Sequence, residues 1–466
     1  MASTLATPVA QAISLLFDGN LGRLLNYGLR PGYGLLGAWS PISLFMSNEQ
    51  GVWYDPSDFS TLFQDSAGTT PVTAVEQPVG LILDKSGRGN HATQATSASR
   101  PTLSARVNLL TYSEDFSNAA WSKQRVRAFG SGSVVNAIAN PIDGAVTADL
   151  VTEDTATGAK YLVQTTLTVG QPYTRFIYAK TNGRSIALCE AGAPVAKFNL
   201  ATGVVISGSG AAINAVGNGW YLCKCSAVAG YTNAGINITQ NDGTDAYTGD
   251  GTSGVYIWGA QLETGSTATR YQSITTATSY DTVGFPYYLK FDGVDDSLST
   301  ASIDFTSTDK MTVVAGVRKL SDAATGMIIS TSTAAGGFEL YTPGTAGQTG
   351  YYYANKGTGN EGSSYSGTTS GIGSSPISLV MTGKSNLAQT AVGSEVNLRV
   401  NNVSYPSAGT QSSGTFGNYP LYVGSRGGTT LPFNGHLYSL IVRGAQSTDS
   451  QIVSAESYVN SKTGAY

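Results

Sequence analysis

Short apolar runs separated by turn-forming residues make up most of the chain from Trp39 onward. The runs recur about every 10 to 20 residues and are divided by Gly, Ser, Thr and Asn. This pattern predicts β-strands packed as sandwiches. The candidates are residues 52–54, 62–63, 79–83, 160–163, 176–179, 187–189, 204–206, 221–225, 255–258, 289–291, 311–317, 327–330, 338–341, 377–381, 396–400, 421–423 and 437–442.

The C-terminal segment has helical spacing instead. Thr448 or Asp449 supplies an N-cap, and Gly464 follows the last periodic position. The spacing predicts a terminal helix that turns one face toward the protein. The positions at helical spacing are Ile452, Val453, Ala455, Glu456 and Val459.

Residues 1–36 differ from the rest of the chain. Val9, Ile13, Leu16 and Phe17 have helix-like spacing, and leucine-rich pieces follow them. The segment is too short for a core of its own, so we predict a partly helical arm that docks on another protein. The alternative is a helix packed on the chain's own β domain.

The composition narrows the class of protein. Of 466 residues, only 12% are charged, while glycine supplies 57 positions and tyrosine 26. A disordered chain would lack the aromatic residues, and a coiled coil would be rich in Glu, Lys and Leu. The composition therefore favours an all-β protein of two or three domains.

The charge pattern excludes two classes of partner. The net charge is −4, and no basic stripe is present of the kind that contacts nucleic-acid phosphates. No apolar stretch approaches the ~20 residues that cross a bilayer, so membrane insertion is not expected. Residues 1–10 have no basic region ahead of an apolar core, which predicts folding in a cytoplasm rather than export.

The cysteines and histidines are too few for a disulfide framework or a typical zinc site. Cys223 and Cys225 share one face of a predicted strand, and Cys189 lies in another strand. We predict that all three are small buried residues. His91 and His436 both lie in Asn/Gly-containing stretches and are expected to be turn or core residues.

Several segments resemble successive pieces of one known fold. Residues 52–58 (VWYDPSD), 84–95 (DKSGRGNHATQA) and 289–296 (LKFDGVDD) resemble a concanavalin A-like, or laminin G-like, lectin sandwich. Residues 433–442 with the terminal helix resemble the last strand and tail of that family. The chain departs from the family pattern because about 195 residues separate Ala95 from Phe291.

The segment between these pieces begins and ends with residues that resemble a second kind of domain. Residues 108–116 with Trp121, and residues 257–263 with Tyr271, resemble the ends of carbohydrate-binding-module-like jelly rolls found in bacteriophage structural proteins. We therefore predict two all-β sandwich (jelly-roll) domains, one inserted in the other. The predicted domains are a docking arm at 1–36, a discontinuous lectin sandwich at 37–106 plus 279–466, and an inserted sandwich at 107–278.

The combined resemblance implies a bacteriophage virion protein, made in the host cytoplasm and assembled on the particle surface. It implies that residues 1–36 contact other virion proteins. It also implies a homo-oligomer, with the threefold symmetry common in fibres. It does not choose between a tail fibre or receptor-binding appendage and a capsid decoration.

Enzyme chemistry is not expected. No nucleophile elbow is present, and the Glu-x-Asp-x-(x)-Glu strand of glucanases with the lectin fold does not occur. The densest acidic cluster, Asp292, Asp295 and Asp296, falls in a strand–turn element of the resembling family rather than in a pair flanking a cleft. No cofactor is required by this interpretation.

A structural calcium ion is the one metal that the sequence suggests. Asp242, Asp245 and Asp250 lie in a glycine-containing loop just before the strand of Trp258. Calcium prefers six to eight oxygen ligands from such loops. The loop lacks the terminal Glu of an EF-hand, and the alternative is a set of Asx turns without an ion.

Glycan binding needs exposed aromatic faces beside polar groups. In the lectin sandwich the candidates are Tyr351, Tyr353, Asn355 and Tyr365. In the inserted sandwich they are Tyr231 and Tyr247, with Trp220 as a further candidate. The alternative for each residue is ordinary packing on a strand.

Three functions follow, in order of preference. The first is a non-enzymatic virion surface protein that is anchored by its arm and adheres to host-surface glycans. Its weak sites would gain avidity from several copies. The second is a structural capsid or tail decoration without glycan binding. The third is a glycan-degrading enzyme.

Overall fold

The computed structural model describes residues 39–331, 337–359, 364–368, 378–389, 395–406 and 413–466. The first strands are β1 (Gly51–Tyr54), β2 (Leu62–Phe63), β3 (Leu81–Ile82), β4 (Ala92–Thr93) and β5 (Thr102–Ser104). Next come β6 (Ser122–Gln124), β7 (Val134–Ala139), β8 (Val146–Thr152), β9 (Thr157–Thr165), β10 (Pro172–Asn182), β11 (Ser185–Glu190), β12 (Ala193–Asn199), β13 (Val204–Ser207), β14 (Ala212–Gly217), β15 (Trp220–Val228), β16 (Asn233–Thr239), β17 (Ala246–Thr248) and β18 (Gly254–Thr264). The last are β19 (Tyr288–Asp292), β20 (Leu298–Phe305), β21 (Lys310–Lys319), β22 (Gly326–Ser330), β23 (Gly337–Thr342), β24 (Tyr351–Lys356), β25 (Ser364–Thr368), β26 (Ser378–Asn386), β27 (Val396–Val400), β28 (Val403–Pro406), β29 (Gly417–Val423) and β30 (Asn434–Arg443), followed by helix α1 (Asp449–Thr463).

The all-β fold class is confirmed, with antiparallel sheets throughout and a terminal helix. The predicted arm at 1–36 lies outside the described residues. No helix in the described ranges is long and apolar enough to cross a membrane.

The outer sandwich, which we define as β1–β5 with β19–β30, consists of two sheets. One is eight-stranded in the order β28-β27-β26-β21-β30-β19-β5, with β1 also paired to β30. The other is nine-stranded in the order β2-β3-β4-β20-β29-β22-β23-β24-β25. Each sheet takes strands from both ends of the chain. Apolar side chains of the first sheet, such as Phe291 and Val442, and of the second, such as Leu340 and Leu421, form one core.

The middle sandwich, which we define as β6–β18, is built entirely from residues between those two segments. Its sheets have the orders β14-β15-β10-β18-β8-β7 and β13-β12-β11-β16-β9-β17, with β6 also paired to β9. Trp121, Ile177 and Phe198 lie in its core, together with Cys223 and Cys225. All three cysteines are free and buried, as predicted, and burial raises their pKa values.

The buried Gln272 side chain ties together the two crossings between the sandwiches. Its Oε1 accepts hydrogen bonds from the backbone N–H groups of Val107 (2.8 Å) and Asn108 (3.1 Å). Its Nε2 donates to the carbonyls of Ala105 (2.9 Å) and Asp281 (2.8 Å). The outgoing and returning chains therefore lie side by side.

Helix α1 packs on the outer face of the eight-stranded sheet through Ile452, Ala455 and Val459. Thr448, not Asp449, is the N-cap, and it forms a reciprocal capping box with Gln451. Val453 was expected on the packed face, but it is 58% exposed. The helical turn places it one position beyond the buried Ile452, toward solvent.

The two ends of residues 107–278 lie close together, so removal of these residues should leave the outer sandwich folded. The hydroxyls of Ser104 and Tyr280 are 2.9 Å apart. We propose that residues 107–278 form an inserted domain. Replacing them with a short Gly-Ser linker should leave a protein that unfolds cooperatively, as measured by calorimetry. Residues 107–278 expressed alone should also melt cooperatively. Aggregation of both products without a transition would contradict the proposed insertion.

Arg175 and Glu190 form a buried ion pair at 2.7 Å inside the middle sandwich. Glu190→Ala should cost about 3–5 kcal/mol, because it leaves the Arg175 cation buried without its partner. Urea unfolding followed by tryptophan fluorescence measures this loss, since Trp121, Trp220 and Trp258 all lie in this sandwich. Lys384→Ala is the control. Its partner Asp449 is 97% exposed at 3.8 Å, so the cost should stay under about 1 kcal/mol.

Candidate functional site

Three polar side chains lie side by side across the outer face of the eight-stranded sheet. Arg318 of β21 pairs with His436 of β30, and His436 pairs in turn with Lys290 of β19. Leu289 and Leu437, one position along their strands, are buried in the core. Because side chains alternate along a strand, Arg318, His436 and Lys290 face away from that core. We call these three residues the polar row.

The polar row lines a cavity of about 370 Å³ between the two sandwiches. Both sandwiches and the crossing segment contribute to its walls, so neither sandwich alone contains the complete site. The lining residues are Glu76, Ser104, Arg106, Val107, Tyr288, Lys290, Arg318, Leu320 and His436 on one side, with Leu109, Thr168, Tyr173 and Thr264 on the other.

An aromatic stack forms part of the wall. The rings of Tyr288 and His436 are nearly parallel, at 12°, with centroids 3.7 Å apart. The Tyr288 hydroxyl donates to the carbonyl of Arg106 at 2.6 Å. Burial raises the pKa of Tyr288, which keeps the phenol protonated and able to donate.

His436 is neutral in this setting. It is 6% exposed, and burial lowers its pKa well below the usual value, with Arg318 and Lys290 adding to the effect. Its Nδ1 has no hydrogen-bond partner among the described residues. The imidazole is thus an uncharged, buried ring that lies between two cations and stacks on Tyr288.

Arg318 links the polar row to the middle sandwich. Its guanidinium donates to the backbone carbonyl of Thr264 at 3.0 Å and also to the Thr264 hydroxyl. Thr264 is the last residue of β18. This contact holds one wall of the cavity against the other.

Cations outnumber carboxylates among the lining residues. Arg106, Lys290 and Arg318 are cationic, and Glu76 is the one carboxylate among the residues that line the cavity in the described part of the chain. The Glu76 carboxylate already accepts hydrogen bonds from the hydroxyls of Ser104 and Tyr280. The cavity is therefore electropositive.

The structure corrects the prediction that Tyr351, Tyr353 and Asn355 bind glycan. Tyr351 and Tyr353 are 0% exposed, and Asn355 is 2% exposed. The Lys319 ammonium lies 4.6 Å from the Tyr351 ring centroid, inside the sandwich. These side chains pack within the outer sandwich and offer no surface to a sugar. The side chain of Tyr365, the fourth candidate, lies outside the described residues.

The candidates in the middle sandwich are also corrected in part. Tyr247 is buried, its hydroxyl donates to Glu153, and the Lys160 ammonium lies 4.1 Å from its ring centroid. Trp220 is only 3% exposed. Tyr231 is 55% exposed, but it does not line the cavity.

The predicted calcium ligands do not share one site. Asp245 pairs with Lys197 at 3.0 Å, and Asp250 pairs with Arg184 at 3.0 Å. Asp242 accepts a hydrogen bond from the backbone N–H of Thr244 at 2.8 Å. Each of these carboxylates has a different partner, and among the described residues Asp242, Asp245 and Asp250 do not form a group of carboxylates at metal-binding distances. Such Asx turns were the stated alternative.

A carboxylate cluster of metal-binding spacing lies elsewhere. Ligand atoms of Asp292, Asp295 and Asp296 lie within 4.8 Å of one another, in the turn after β19. Asp296 Oδ2 accepts a hydrogen bond from the backbone N–H of Asp292 at 3.0 Å. Burial raises the pKa of Asp296 to about 7, and repulsion from Asp292 and Asp295 adds to this. A divalent cation is the kind of ligand that these groups could hold.

The conspicuous loop at residues 84–91 has a structural role. The Asp84 carboxylate accepts hydrogen bonds from the backbone N–H groups of Trp53, Ser86 and Asn90. His91 Nδ1 accepts from the backbone N–H of Asp84 at 2.9 Å. His91 is thus a turn residue, as predicted.

Sequence reasoning missed the polar row because its members are far apart in the chain. Lys290 and His436 lie in two of the segments that carry the lectin resemblance, LKFDGVDD and FNGHLYSLIV. Only the strand register places them side by side. A pairing prediction for those two segments was the signal that could have found them.

No family model matches the sequence, and no curated protein matches it. Among solved structures, the chain is similar to the Ruminococcus gnavus IT-sialidase CBM40 bound to α2,3-sialyllactose. The identity is 16%, covering 34% of this chain and 97% of that one, with a TM-score of 0.26. It is also similar to the Botulinum neurotoxin serotype D binding domain, at 10% identity, covering 37% of this chain and 42% of that one, with a TM-score of 0.28. It thus spans under half of the toxin chain, and these likenesses assign neither a family nor a ligand. Neither is described as a bacteriophage protein.

The raised pKa of Asp296 predicts a pH effect on stability. Between the usual 3.8 and about 7, the folded protein holds a proton that the unfolded chain has released. Stability from this group is therefore lost as the pH rises through that window. The fall in Tm from about pH 5 to about pH 8 should be smaller in Asp296→Asn than in the wild type.

Asp304→Asn is the matched control for this variant. Hydrogen bonds from Thr306 lower the pKa of Asp304, so its titration falls below the window. This variant should show the same fall in Tm as the wild type. Equal falls in all three proteins would contradict the raised pKa of Asp296.

Proposed function

We propose that the protein is a non-enzymatic glycan-binding protein whose site is the cavity between the two sandwiches. The observation that carries this proposal is the cavity itself, about 370 Å³ and lined by both apolar and hydrogen-bonding side chains. Ligand sites commonly occupy about 300–1,000 Å³. A cavity of this size suits one or two sugar rings.

The chemistry of the lining suits a sugar. A pyranose ring presents apolar C–H faces and equatorial hydroxyls, so it needs flat or apolar walls beside hydrogen-bonding groups. Val107, Leu109 and Leu320 supply apolar surface, while the exposed Thr168 supplies a hydroxyl. Ser104 ends β5 and Leu320 directly follows β21, whereas Val107, Leu109 and Thr168 lie in connecting segments.

The lining also supports a role in binding rather than catalysis. Glycosidases generally use two carboxyl groups that flank the scissile bond. Among the described lining residues, Glu76 alone carries a carboxylate, and the Ser104 and Tyr280 hydroxyls already engage it. His436 has no carboxylate partner within its described hydrogen bonds.

We further propose that the protein serves on the surface of a bacteriophage particle, as a tail fibre or receptor-binding appendage. The resemblance of residues 108–121 and 257–271 to phage jelly rolls supports this location. Residues 1–36 would anchor the protein, and several copies, three in a fibre, would raise avidity for a glycan-coated cell. Antibody labelling of purified particles distinguishes this role from a structural decoration.

Filling the cavity should abolish glycan binding without unfolding the protein. Thr168 is exposed and lines the cavity, so Thr168→Trp places an indole in the ligand volume. Labelled full-length protein should bind members of a printed glycan array, and Thr168→Trp should lose at least tenfold in signal.

Val169→Trp is the matched control. Val169 is the next residue, is 57% exposed and does not line the cavity, so binding should be kept. Both variants should keep the wild-type Tm. If no glycan on the array bound the folded wild type, or if the two variants lost binding equally, the proposed site would be wrong.

A further inference from the structure

We infer that the cavity between the sandwiches takes an anionic sugar, a pyranose that carries a carboxylate or a sulfate ester, with the anion held between Lys290 and Arg318. This inference rests on the proposed function, because it names the ligand class of the same cavity. It depends on the placement of charge around the polar row, which the glycan proposal itself does not require.

Lys290 is less engaged than the other cations of the lining, although its charge acts on the Asp296 carboxylate. Its side chain is exposed, and no described residue forms an ion pair or hydrogen bond with its ammonium group. Arg106, in contrast, donates to the carbonyls of Asn108, Leu109 and Ala277. Lys290 is thus available to pair with an incoming anion, whereas Arg106 and Arg318 also donate to backbone carbonyls at the junction between the sandwiches.

Lys290 and Arg318 flank the same residue. His436 lies between them in register, so the two cations are two strand spacings apart, about 10 Å between backbones. Two long side chains on that spacing can converge on one anionic group. Among the described residues that line the cavity Glu76 carries the one carboxylate, so an anion between Lys290 and Arg318 would offset the repulsion between these two cations.

The lining and the volume of the cavity favour a sugar over a bare inorganic ion. The buried Tyr288–His436 stack lies in the same wall as the two cations. Tyr288 is 3% exposed and His436 6%, so a sugar ring would instead contact the apolar side chains of Val107, Leu109 and Leu320 in this lining. A small inorganic anion would leave most of the 370 Å³ unused.

The test measures binding of four probes to the full-length protein by calorimetry and by thermal shift. The probes are glucuronic acid, galactose 6-sulfate, galactose and sodium sulfate. We expect at least one of the two acidic sugars to bind at least tenfold more tightly than galactose, and the better of the two identifies the anion. Lys290→Ala should weaken acidic-sugar binding about tenfold, which corresponds to about 1.4 kcal/mol. Lys290→Glu should abolish it.

Lys224→Ala is the matched control. Lys224 is an exposed lysine on β15 that does not line the cavity, so its removal should leave binding unchanged. Unchanged Tm values in the absence of ligand show that the substitutions spare the fold. Equal effects of Lys224→Ala and Lys290→Ala would overturn the inference, since they would indicate general electrostatic attraction.

The remaining outcomes separate this inference from the proposed function. If galactose bound as tightly as the acidic sugars and Lys290→Ala had no effect, the anionic assignment would fail and glycan binding would stand. If sodium sulfate bound as tightly as galactose 6-sulfate, the cavity would be an inorganic anion site, and the inference would again fail. If no sugar bound either here or on the array, both proposals would fail.

Discussion

The pairing of β5 with β19 is the constraint on which the rest of the structure depends. Tyr288 pairs with Ser104, Leu289 with Leu103, and Lys290 with Thr102. These strands come from opposite sides of the middle sandwich, so their antiparallel contact makes residues 105–287 one large hairpin connection. The middle sandwich is thereby held beside the outer face of the eight-stranded sheet, where Arg318 reaches Thr264.

The candidate site is a product of that arrangement. The sheet contributes the row of Arg318, His436 and Lys290, and the middle sandwich contributes the opposite wall. Desolvation and two flanking cations keep His436 neutral, so within the polar row the charge comes from Lys290 and Arg318. The electrostatics thus follow from which strands are neighbours.

Sequence reasoning reached the fold class and the terminal helix because both depend on local patterns. Short apolar runs predict strands, and the Thr448 capping box with Gln451 marks the start of the helix. The prediction that Tyr351 and Tyr353 bind glycan is wrong because the alternation of side chains does not show which face of a strand is buried. Alternation assigns Tyr351 and Tyr353 to one face of β24, but it does not say that this face is covered by the opposite sheet.

The predicted calcium ligands have ion-pair partners that the sequence alone does not show. The partner of Asp245 is Lys197 on β12, and that of Asp250 is Arg184 in the turn between β10 and β11. The sequence of residues 241–251 shows the carboxylates, but it does not show these partners, which lie elsewhere in the chain. The polar row was missed in the same way, since Lys290 and His436 meet only through the register of β19 with β30.

The Gln272 clasp between the two crossings has a consequence for the order of folding. The outer sandwich cannot pair β5 with β19 until residues 105–287 have been synthesised, and closing so long a flexible loop costs chain entropy. A middle sandwich that folds first removes that cost, because Gln272 brings Ala105 and Asp281 together in advance. The middle sandwich then acts as an internal template on which the two halves of its host assemble during translation.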